Sequence, residues 1–136
     1  MFDDFASPLE PSRSEFEELA RRAIARIPAE LRDKLERVVL KVEEFATAEQ
    51  LASVGIESRW HLTGLYEGTP LPDQSVWQPS RMPPVISLFR QPLLREMRQT
   101  GVRFEALVHH VVIHEAGHHF GFSDEEMHAL EDMVRD

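Results

Sequence analysis

The sequence predicts an α+β domain, and three observations carry that expectation. Residues 38–45 and 85–90 are β-branched, apolar runs bounded by loops, and residues 61–66 read as a further strand between them. Helical periods opened by capping boxes occur before, between and after these runs. A late helix over about 103–120 is apolar nearly all round, which places it inside the domain rather than on its surface.

The elements follow in order. Residues 1–13 carry Pro8 and Pro11 and no period, and read as a flexible N-terminal arm; residues 14–136 form one domain. Ser14 pairs with Glu17 as a capping box, and Phe16, Leu19, Ala20, Ala23, Ile24 and Ile27 carry a helix to about Ile27. Pro28 starts a short helical piece through Leu35. After the 38–45 strand, Thr47 and Gln50 cap a helix over 48–54 that Gly55 stops. Residues 67–84 hold five prolines and form a loop. The 85–90 strand has prolines before and after it and reads as a sheet edge, able to pair with an extended peptide. Pro92 opens a helix that stops near Gly101. Ser123 and Glu126 cap a last helix through about Val134.

Composition bounds the function. A chain of 136 residues is long enough for one domain with a core. A formal net charge of −9 argues against nucleic acid or an anionic membrane as partner. No apolar run reaches the ~20 residues that span a bilayer. The acidic start lacks a signal pattern and there is no cysteine, so a cytoplasmic location is expected; the oligomeric state stays open, with a monomer favoured.

The chemistry concentrates at His114-Glu115-Ala116-Gly117-His118-His119-Phe120-Gly121-Phe122-Ser123-Asp124. His114 and His118 are four apart on a helix, about 40° around its axis, so both imidazoles can grip one zinc ion. Glu115 lies about 100° further round, off that stripe but within reach of a metal-bound water as general base. Gly121 permits a sharp turn, after which Asp124 returns as a third ligand, with Glu125, His128 and Glu131 as substitutes. Three ligands and an open position describe a catalytic zinc site with one ion per chain; Mn, Fe, Co or Ni would also suit such donors. His119, about 100° from the ligand stripe, packs or braces a partner. His110, one turn before His114, lines the cleft or is structural. Tyr66 is either core or a donor to the oxyanion. Trp60 and Trp77 are either core or cleft lining.

Gly64-Leu65-Tyr66-Glu67-Gly68, Pro92 to Arg95, and Val112-Ile113 running into the His114-to-Gly121 motif resemble the small bacterial zincin-like metallopeptidases. The resemblance implies a small twisted mixed sheet, of about three to four strands, packed on a buried active-site helix with flanking helices. It implies zinc on His114, His118 and Asp124, Glu115 as general base, and a peptide or protein substrate. The competing readings are a zinc-binding scaffold of the same fold with little turnover, and a helical interaction module that binds no metal.

Overall fold

The computed structural model describes residues 10–74 and 82–134. Helix α1 spans Arg13–Ala25 and α2 spans Ala29–Arg32, continued by a 3-10 turn, Asp33–Leu35. Strand β1 is Val39–Glu43, α3 is Ala48–Ser53, and β2 is Gly64–Glu67. Strand β3 is Val85–Phe89, followed directly by α4, Arg90–Thr100. Helix α5 is Phe104–Phe120, and α6 is Asp124–Val134. Residues 1–9 of the expected arm, residues 75–81 of the proline-rich loop with Trp77, and residues 135–136 lie outside the described residues.

Helix α1 starts earlier than its periodicity suggests. The Ser12 hydroxyl accepts from the Glu15 N–H at 3.2 Å, and the Ser12 N–H donates to the Glu15 carboxylate at 2.8 Å. Ser12-x-x-Glu15 and Ser14-x-x-Glu17 both fit the capping pattern, and the helix takes the first one available after Pro11. Arg90 then donates to the Pro11 carbonyl at 3.0 Å, and Arg98 pairs with Glu10 at 2.6 Å, tying this entry to α4.

The sheet runs β1-β3-β2, with β1 parallel and β2 antiparallel to β3. The expectation of an edge at residues 85–90 is therefore corrected: β3 is the central strand. The flanking prolines lie outside its ladder, and Pro84 still contributes a carbonyl, which accepts from the Val39 N–H at 2.8 Å. Proline marks an edge only where its missing N–H falls within the strand. The unbroken apolar run is the better guide, because Ile86 to Phe89 are buried on both faces.

Alternation along β3 divides the core. Leu88 joins Phe16 and Ala20 of α1 and Val108 and Val112 of α5. Ile86 meets Ile113, Ala116 and Phe120 of α5 and Leu130 of α6. Phe89 turns to the opposite face, with Ala46, Leu62 and Leu65. Helix α5 lies at the centre, with eleven of its residues buried, among them Val108, Val112, Ile113 and Ala116. Its polar residues Glu105, His110, His114 and His118 keep to the side that reaches solvent, and the apolar rest of its surface is covered by the sheet and the flanking helices.

Candidate metal centre

Two glycines bring the remaining elements onto α5. Gly64 opens β2 facing the helix, and a Cβ there would collide with the Val111 side chain and approach Glu115 Cγ. Without a side chain, the strand comes close enough for the Tyr66 main-chain N–H to donate to the Glu115 carboxylate. Gly121 ends α5 in the left-handed region, φ 76°, with its N–H donating to the His118 carbonyl and that of Phe122 to the Gly117 carbonyl, both at 3.0 Å. The chain reverses there, and Ser123 caps α6 through reciprocal bonds with Glu126.

His114, Glu115 and His118 converge as the sequence predicts. Their nearest donor atoms all lie within 4.8 Å of one another. The His114 and His118 rings are 4.8 Å apart and nearly perpendicular. His114 is half-buried and His118 exposed, so the site opens to solvent along one side of α5. Burial favours neutral His114, and the nearby His118 and His110 add to this; Glu131 and Asp124 oppose it in part. A neutral imidazole is the form that offers a lone pair to a metal.

Glu115 is 9% exposed. Burial pushes its pKa up to about 7, against smaller downward pulls from the Tyr66 N–H and from His110. Two imidazoles with a carboxylate alongside suit zinc by donor type, and a cation held there would return Glu115 toward its ionised form. Asp124 stands exposed in the first turn of α6. It is near enough to act on His114 electrostatically, but it is not part of the His114–Glu115–His118 cluster.

The neighbouring side chains have defined partners. Buried His119 lies between Lys34 and Tyr66: its Nε2 is 3.1 Å from the Lys34 carbonyl and its Nδ1 is 2.6 Å from the Tyr66 hydroxyl. A carbonyl only accepts, so Nε2 carries the proton and the phenol donates to Nδ1. Burial, the larger influence on His119, favours this neutral form. The Tyr66 hydroxyl is thereby engaged in bracing β2 against α5. Trp60 packs edge-on against Phe45, its ring 4.8 Å away.

One pairing escaped the sequence reading: His110 Nδ1 lies 2.7 Å from the Glu131 carboxylate. Its signal was present in α6, where Met127, Leu130 and Val134 are buried and Glu131 follows Met127 by one turn, at the border of the inward face. The pair stands next to the candidate centre, with the His110 and His114 rings stacked at 6.1 Å. Gly64 was visible as part of a recognisable segment, but its close approach to Val111 is a tertiary fact.

A search of curated proteins finds no match. A family model described as zincin-like metallopeptidase matches residues 35–134, a span that takes in the whole sheet, α5 and α6. With the two imidazoles and the carboxylate gathered on the buried helix of a mixed three-stranded sheet, and a match over most of its length, the chain belongs to the zincin-like metallopeptidase family.

Proposed function

We propose that the chain is a zinc-dependent peptidase holding one zinc ion through His114, His118 and Asp124, with Glu115 as general base. The observation that carries this reading is the convergence of His114, Glu115 and His118 on one side of α5. When bound, zinc supplies Lewis acidity toward both the attacking water and the scissile carbonyl. Glu115 takes a proton from the water at its carboxylate as the new C–O bond forms. It passes that proton to the departing nitrogen as the C–N bond breaks, leaving a carboxylate and an amine. Its pKa of about 7 without an ion suits a group that must both accept and return a proton.

Among the described residues, the substrate backbone has a well-placed partner. Strand β2 is an edge of the sheet, and it is the edge that contacts Glu115. An extended peptide added to β2 would run past the carboxylate, which moves the expected pairing strand from residues 85–90 to residues 64–67.

A second reading, a zinc-binding scaffold with little turnover, draws on the same cluster, because His114 and His118 can hold an ion whether or not a substrate is turned over. Metal content and turnover separate the two. About one zinc per wild-type chain, lost in His118→Ala, is expected. Glu115→Gln should keep zinc and lose peptide cleavage by at least about 100-fold. Full cleavage by Glu115→Gln would remove the general-base assignment; zinc without cleavage in the wild type would leave the scaffold.

A further inference from the structure

Beside the candidate centre, a cavity of about 650 Å³ lies between α1 and the first turns of α5. His110 and Glu131, the pair next to His114, are among the residues that line it. It is lined by Arg22 of α1, Arg26 at the C-terminal cap of α1 and Arg103 at the start of α5, together with Glu105 and Glu131. Three guanidiniums around one cavity run against the charge of the molecule, whose formal net charge is −9. Three acids here have pairings of known geometry. Glu131 is bound by His110 at 2.7 Å. Glu105 is 3.7 Å from Arg103, with both side chains more than half exposed. Arg22 and Glu18 form a similarly exposed pair at 3.3 Å. Exposed pairs of this kind are worth about 0–1 kcal/mol, so an incoming carboxylate can displace them.

Length fits as well. From His110 back to Arg103 is seven residues of helix, about 10 Å at 1.5 Å per residue. That is the span of about three extended peptide residues. A planar guanidinium also matches a carboxylate in two-point contact, which a neutral side chain cannot offer.

We propose that this cavity is a specificity subsite that selects a carboxylate about two to three residues from the scissile bond of a peptide substrate. The carboxylate belongs either to an Asp or Glu side chain or to the peptide's free C-terminus. The proposal rests on the peptidase reading for its placement, but its binding chemistry is tested separately.

The test uses zinc-loaded full-length Glu115→Gln, so that bound peptide is not consumed. Fluorescein-labelled decapeptides with two acidic residues, and their Gln counterparts, are compared by anisotropy, each with a free or an amidated C-terminus. A preference of about tenfold or more for carboxylate-bearing peptides is expected, weakening as salt is raised. Arg103→Gln and the pair Arg22→Gln/Arg26→Gln should each reduce it; these exposed positions leave the fold intact, checked by thermal melts. Arg26→Glu/Arg103→Glu should turn the preference toward Lys-bearing peptides. Loss of binding on amidation alone identifies the C-terminus as the source, and loss on Gln substitution alone identifies the side chain. Equal binding of acidic and neutral peptides, or a preference that survives all the arginine variants, overturns the subsite. Wild-type cleavage of the same peptides, read by mass spectrometry, separates the two proposals. Tight acidic binding without any cleavage removes the peptidase reading and keeps the cavity; cleavage indifferent to charge does the reverse.

Discussion

Glu115 is a carboxylate that the fold holds at an electrostatic cost. Below its ordinary pKa of 4.5 it is protonated both folded and unfolded, and contributes nothing. Between 4.5 and about 7 the unfolded chain releases the proton while the folded chain keeps it, so stability falls as pH rises. Above about 7 the full cost is present, on the order of 3 kcal/mol. Metal-free Glu115→Gln should therefore be more stable than the wild type by about 2–3 kcal/mol at pH 8, and nearly equal to it at pH 4.5. Urea melts at the two pH values measure this, and a difference independent of pH would contradict it. His114 behaves oppositely. Its pKa is lowered, so its contribution is whole above about 6.5 and is lost as pH falls through the folded value. Protons then compete with metal for its nitrogen, and zinc should dissociate on acidification below about pH 6.5. Equilibrium dialysis at pH 5.5 and 7.5 checks that.

Tyr66 separates a structural from a catalytic phenol. Its hydroxyl is 2.6 Å from His119 Nδ1, and removing it leaves a buried imidazole nitrogen without that donor. Tyr66→Phe should cost about 1–2 kcal/mol in stability and change kcat by no more than a few-fold. A fall of 100-fold or more in kcat, the loss typical of a missing oxyanion donor, would assign the phenol to the reaction instead.

The elements hold the site through close backbone approaches more than through polar bonds. Strand β2 reaches α5 because Gly64 has no side chain, and α5 reaches α6 because Gly117 has none where Met127 Cγ would lie 2.9 Å away. Gly64→Ala should destabilise by about 1–3 kcal/mol and push β2 off Glu115, since Val111 belongs to a packed helix that cannot retreat. Thermal melts measure the loss. Val111→Ala in the same chain should recover part of it, and failure to recover would mean that the clash is elsewhere.

Across the whole molecule, a metal ion held by these residues would connect the site to stability. His114 and His118 are on α5 and Asp124 is on α6, so an ion shared by them would bridge two elements that meet across the Gly121 turn. Zinc at a hundredfold excess over its Kd should stabilise the fold by about 2.7 kcal/mol. The corresponding rise in Tm is about 2–4 °C per kcal/mol. His118→Ala should abolish the rise, and a wild type whose Tm ignores both zinc and chelator would exclude a bound structural or catalytic ion. Among the described residues, no helix is long and apolar enough to cross a membrane.

Much of this was determined by sequence alone, wherever the physics is local. The i, i+4 histidines with Glu115 between them, the Gly101 and Gly121 helix stops, the capping boxes at Thr47 and Ser123, and the central position of the apolar helix depend only on neighbours within a few turns. The start of α1 lies two residues before the Ser14 box because two capping patterns overlap and only the folded chain chooses between them. Tertiary structure alone decided that β3 is the central strand, that His110 takes Glu131, and that Tyr66 braces His119. Each of these joins residues far apart in the chain, and no periodicity records which distant side chain will fill a given space. Gly64 shows the difference most plainly: in the sequence it is one glycine among six, and only the Val111 methyl beside it shows why a side chain cannot stand there.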